Sequence, residues 1–189
     1  MNFGRCRIGF FWLGMTLGAA AGLATTLERI SLEGLTTRAD AVVHVRCLSS
    51  ESRWERGEIW TWTHFEVSET LKGTVPRLLT VRLPGGRVGH LTSTIEAVPR
   101  FHAAEESILF LKRTPDDAFT VLSWAQGTFR IRSEPHTGRK FVMQDSAAVP
   151  ILDYTTMQFR TEGIRNVQLG SFKERVSRLV RETAGAVRP

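Results

Sequence analysis

Cysteine is nearly missing from this chain: 189 residues hold two, Cys6 and Cys47. That excludes a disulfide framework, the common stabiliser of small exported domains. Lysine occurs four times, at Lys72, Lys112, Lys140 and Lys173, so arginine supplies 21 of the 25 basic residues. The arginines are scattered singly rather than gathered on one segment, which argues against a nucleic-acid surface. The sequence has no Gly-x-Ser-x-Gly elbow, no His-Glu-x-x-His helix and no Cys-x-x-Cys knuckle. No known catalytic or metal signature is therefore spelled out, and no cofactor is expected. Pro84-Gly-Gly-Arg-Val-Gly89 is glycine-rich but lacks the Gly-Lys-Ser/Thr ending of a phosphate loop. A turn that lets the chain cross a barrel, with Arg87 exposed on it, is the better reading.

Only one long uncharged run occurs, Ile8 to Ala24, and it follows a short head carrying Arg5 and Arg7. A basic head, an apolar middle and small residues at the end describe a secretory signal peptide. Gly22 and Ala24 suit a cut after Ala24, and Ala19 and Ala21 suit one after Ala21. An uncleaved anchor is the rival reading, since seventeen residues sit at the lower limit for spanning a bilayer. Cleavage removes two arginines and lowers the net charge from +6 to +4. The expectation is a signal peptide at 1–24 and one exported domain at 25–189, periplasmic or secreted. Membrane contact is expected only through a retained leader. Cys47 then stands alone and is read as a buried structural thiol in an alternating strand.

Along the mature chain, Ser31 is placed to cap a short helix bearing Leu32 and Leu35. Residues 40–48 alternate as a strand, with Ala41, Val43, Val45 and Cys47 on one face and Val42, His44, Arg46 and Leu48 on the other. Residues 49–58 read as a polar turn, and a long second strand follows from Ile59 to about Leu71. Further strands are read at 78–83, 107–112, 119–124, 128–132 and 139–144, with 84–105 irregular. Phe172, Val176, Leu179 and Val180 recur at helical spacing, giving a closing amphipathic helix over 170–184. Short strands with glycine turns and a helix at each end predict a mostly β fold, a small antiparallel barrel.

The succession Arg38-Ala39-Asp40-Ala-Val-Val, Ser52-Arg-Trp54, Phe65 to Gly73, Leu83 to Gly89, Pro99-Arg-Phe101, Leu109-Phe-Leu111 and Ala125 to Phe129 resembles a family of uncharacterised exported bacterial proteins. Its opening, an Ala-Asp-x-Val-Val strand and a long strand ending in Leu-Lys-Gly, is similar to netrin-like domains. Those include the tissue inhibitors of metalloproteinases, which carry an oligonucleotide/oligosaccharide-binding (OB) type of barrel. The resemblance implies an OB-like barrel here. It does not imply protease inhibition through an N-terminal cysteine, because this chain has none at that position.

The outer face of the first hairpin is the most distinctive surface. With the loop centred near Trp54, His44 is expected to oppose His64, Arg46 to oppose Trp62, and Leu48 to oppose Trp60. Trp60, Trp62, Arg46, His44 and His64 would then form an aromatic platform for a sugar or peptide. The alternative is that the closing helix covers this face and the indoles form a second small core, and that alternative is the one expected. His44 and His64 with Glu66, His90 or His102 offer nitrogen and oxygen ligands, yet their spacing matches no metal motif. Glu105-Glu106 and Asp116-Asp117 are read as solvated loop carboxylates.

These readings favour a non-catalytic binding domain for a protein, peptide or glycan outside the cytoplasm. The alternatives are a hydrolytic or metal-dependent enzyme with an unrecognised site, or a netrin-like inhibitor module. N-terminal sequencing of exported protein is expected to begin near Thr25; intact Met1-containing protein in the membrane fraction would show that the leader is retained.

Overall fold

A computed structural model describes residues 29–148, 151–153, 157–160 and 163–186; the leader and its cleavage positions lie outside them. Ser31 accepts a hydrogen bond from the Gly34 amide at 3.0 Å and caps α1 (Leu32–Arg38) as its sequence position implies. The orphan carbonyls at the other end of α1 are met by Lys72, whose Nζ donates to Thr36 and Ala39 at 2.7 Å.

The chain then forms β1 (Ala41–Glu55), β2 (Glu58–Lys72), β3 (Leu78–Pro84), β4 (Gly86–Val88), β5 (Leu91–Ser93), β6 (Glu106–Arg113) and β7 (Phe119–Val121). After these come β8 (Thr128–Ser133), β9 (Lys140–Gln144), β10 (Ile151–Asp153), β11 (Gln158–Arg160), β12 (Val167–Gln168) and α2 (Leu169–Ala186). The fold is mostly β with a helix at each end, as expected. β1 pairs antiparallel with both β2 and β6, so β1-β2-β3-β7-β6 runs round as a ring of five strands. β3 and β7 pair in parallel through Val81 and Phe119, the one departure from antiparallel order in that ring. β8, β9 and β12 continue the sheet outward from β6.

Residues 49–55, expected as turn, belong to β1. Their polarity is that of a paired strand: Ser50 meets the Thr63 hydroxyl at 2.9 Å and Ser52 meets that of Thr61 at 2.8 Å. The turn itself is Arg56-Gly57, with φ of 51° and 86°, the double left-handed geometry of a type I′ hairpin. The stretch expected as irregular holds the small β4–β5 hairpin.

Two cores share the sheet. Inside the ring lie Val43, Val45, Cys47, Phe65, Val81, Leu109, Leu111 and Phe119. On the outer side Val42, Ile108, Phe110, Phe129 and Val142 meet Leu35 of α1 and Phe172 and Val176 of α2. β6 is therefore apolar on both faces, which explains its continuous run from Ile108 to Leu111.

At Gly86, in the glycine-rich stretch, the chain packs closely on the first hairpin. A Cβ at Gly86, whose φ is 141°, would lie 2.3 Å from Ser52 Oγ and 2.4 Å from Thr61 Oγ1. Gly86→Ala is therefore expected to lower unfolding stability by about 1–3 kcal/mol, as for overpacking. Urea denaturation checks this, and an unchanged midpoint would contradict the close approach.

Candidate functional site: the aromatic hairpin

The long β1–β2 hairpin sets the position of every side chain at the site. Along its outward face Trp60 opposes Arg53, Trp62 opposes Glu51, His64 opposes Ser49 and Glu66 opposes Arg46. The expected pairs His44–His64, Arg46–Trp62 and Leu48–Trp60 do not form. The turn lies at residues 56–57 rather than 54, and irregularities at Val42/Val43, His44/Val45 and Cys47/Ser49 shift the register stepwise. His64 Nδ1 lies 2.9 Å from the Thr80 hydroxyl, and Arg46 pairs with Glu66 at 3.0 Å. Arg87 sits apart on β4, exposed, donating to the Gly89 carbonyl at 3.1 Å.

The closing helix does not cover the tryptophans. β2 is fifteen residues long, and α2 reaches only its far end, where Lys173 meets Glu69 at 2.5 Å. Trp60 lies nine residues from Glu69, roughly 30 Å away at strand spacing. Both indoles are half-buried, and their covers are guanidinium groups. The Arg53 Cζ lies 3.9 Å from the centroid of Trp62, and that of Arg82 lies 4.5 Å from Trp60. Arg82 is itself held by Asp116 at 3.0 Å and Glu55 at 3.7 Å.

Of the two acidic pairs, Glu105-Glu106 is half-buried, contrary to expectation, while Asp116-Asp117 is exposed as expected, and all four carboxylates are partnered. Glu105 takes Arg130 at 2.6 Å and Glu106 takes Lys140 at 2.7 Å, while Asp117 takes Arg113 at 2.6 Å. Except for Asp117, these carboxylates meet strands distant in sequence, so no local pattern announces them.

Beyond the ring the hairpin tip overhangs a groove of about 530 Å³, bounded by Trp54, Trp60, Leu91, Ile95 and Trp124. Trp54, Leu91 and Ile95 are 51%, 47% and 37% exposed, three of the large apolar side chains left open to water. Such a cluster marks a contact surface more often than a chance exposure. One wall is also strained: Ala97, Ser123 and Trp124 have φ of 62°, 50° and 48°. A bulky residue in the left-handed region costs on the order of 1–3 kcal/mol and collects at ligand sites. The Ala125 amide, bonded to the Ala97 carbonyl at 2.9 Å, ties the strained turns together. Sequence reasoning misses Trp54 because the polar residues around it read as a turn; its alternation with Ser50 and Ser52 is the signal that could have found it.

His44 belongs to a different place, the seam between β1 and α2. It is 8% exposed, with Nε2 3.2 Å from Glu106 and Nδ1 3.1 Å from Lys173 Nζ. An ammonium only donates, so Nδ1 accepts and Nε2 carries the proton. Burial, and then the Lys173 charge, hold the His44 pKa below its ordinary value, with Glu106 pulling the other way. Cys47 is a buried free thiol, its pKa raised by burial, as the strand pattern suggested. Among the described residues no three His, Cys, Asp or Glu side chains are grouped to hold a metal ion. Comparison with protein-family models and with curated proteins finds no match for this chain.

The His44 seam carries a pH dependence with a definite sign. A histidine whose folded pKa is depressed binds fewer protons when folded, so its contribution to stability is present above the unfolded value of about 6.5 and falls below it. The stability difference between the native protein and His44→Gln, measured in urea from pH 5 to 8, is expected to shrink on acidification. A difference that grows instead would show that folding favours the imidazolium.

Proposed function

We propose that this protein is an exported, non-catalytic binding domain whose ligand, a protein, peptide or glycan, docks at the aromatic groove beside the hairpin tip. One observation carries the reading: Trp54, Leu91 and Ile95 stay exposed together around a single concave surface. A volume near 530 Å³ falls in the range of ligand sites, which are mostly apolar with few polar groups. The strained turn at Ser123-Trp124 adds support, since strain of that kind persists where a surface must keep its shape. The basic head and apolar run of the leader support a place outside the cytoplasm, periplasmic or secreted.

The test uses the mature domain and a Trp54→Ala variant, each immobilised and exposed to envelope material separated into protein, peptide and glycan fractions. Truncating an already exposed side chain is expected to leave the melting temperature nearly unchanged. At least one fraction is expected to bind the native domain about tenfold more tightly than the variant, the size of a hot-spot contact. Equal retention of every fraction by both proteins would refute the groove as the binding site.

A further inference from the structure

We infer that the groove takes an extended peptide segment, added as a third strand on β5, with a lysine or arginine of the peptide against Glu58. This rests on the reading of the groove as the binding site and goes on to name its ligand class. Among the described residues β5 pairs with β4 alone, Val88 opposite Leu91 and Arg87 opposite Thr92, across a two-residue turn at Gly89-His90. In such a hairpin the pair beside the turn is hydrogen-bonded, so the next residue, Thr92, points its N–H and C=O away from β4. Leu91 and Ser93 turn theirs toward β4, and Arg100 also donates to the Ser93 carbonyl at 3.2 Å, so Thr92 is the open position of that edge. Leu91, Thr92 and Ser93 also line the groove, so an open strand edge borders an apolar, tryptophan-walled surface. This is the arrangement that strand addition exploits: main-chain bonds supply affinity, and alternate side chains enter pockets.

Charge narrows the ligand further. Glu58 is the one charged residue lining the groove, it is exposed, and it has no ion pair among the described residues. A cationic residue in the peptide would answer it. A saccharide fits less well, because it would bring a hydroxyl on nearly every carbon to a wall whose side-chain polar groups are Glu58, Thr92, Ser93 and three indole N–H donors. Hydroxyls buried there without partners would oppose binding.

The probe is a set of fluorescent acetylated heptapeptides, alternating phenylalanine or leucine with threonine and ending in lysine. Matched peptides end in glutamate, or carry N-methyl groups on alternate amides, and chitin oligosaccharides serve as the glycan. Polarisation titrations of the mature domain are expected to show the lysine peptides binding about tenfold more tightly than the glutamate peptides, the scale of one charge-assisted contact. Glu58→Gln should remove that preference, and N-methylation should abolish binding without altering the protein at all. Thr92→Pro should abolish it too, and the N-methyl peptides keep the test decisive if that variant disturbs the β4–β5 hairpin. N-methyl peptides that bind as well as their parents would overturn strand addition. A preference that survives Glu58→Gln would overturn the role of Glu58. Trp54-dependent binding of chitin oligosaccharides without peptide binding would overturn the peptide inference and leave the groove reading standing. If neither probe binds, the peptide inference fails, while the groove reading is still decided by the envelope fractions.

Discussion

The structure depends on one constraint, the pairing of β1 with β2 over their full length, closed by a turn that needs two left-handed residues. Gly57 meets that need without cost, and Arg56 adopts φ of 51° beside it. From its root the hairpin does two different jobs. Val42 to Arg46 pair with β6 as well as β2 and so complete the ring. Past Cys47 β1 leaves β6, while β2 stays paired with β3 as far as Trp60, so only the residues nearest the turn extend past both neighbours. The three register irregularities fall in the root and at this departure, where bulges add the twist that lets a strand peel away.

The hairpin thus divides its labour along a single sheet. The root is enclosed by a core on each side, one inside the ring and one under α1 and α2. At its edges are charged groups that tie distant segments together. Arg130 is the chief of these, holding Asp145, Glu105 and the Arg100 carbonyl and lying 4.7 Å from the Phe101 ring centroid. Among the described residues the tip has no helix above it. Its outward face is sealed by arginines laid on indoles, and its inward face by the β4–β5 hairpin, where Gly86 admits close contact with Ser52 and Thr61. Between the tip and β5 the sealing is incomplete, and the groove is the result.

Much of this architecture is legible in the residues, for reasons that can be named. Period-two alternation marks the root of β1 and β2 from Ile59 to Val67, a serine cap and helical spacing mark the two helices, and the burial of Cys47 follows from its place in the alternation. The register is not legible. Residues 49–55 are polar, and polarity alone reads as a loop, whereas Ser50 and Ser52 satisfy threonines across the strand. A turn moved by about two residues changes every cross-strand partner, which separates His44 from His64 and keeps Trp54 out of the candidate set. The partners of Glu105, Glu106 and Asp116 are hidden because they come from strands far along the chain. The cover over the tryptophans is hidden for a related reason: a face that is continuous in sequence is longer than the helix laid against it.

The register of the first hairpin underlies both the ring and the groove, so it is the quantity to measure. Nuclear Overhauser contacts between backbone protons of β1 and β2 in the mature domain report it directly. The account predicts contacts pairing Arg53 with Trp60 and Glu51 with Trp62, closing at Arg56-Gly57. Contacts pairing Leu48 with Trp60 and Arg46 with Trp62 would contradict it, because that register places the turn near Trp54 and leaves no overhanging tip.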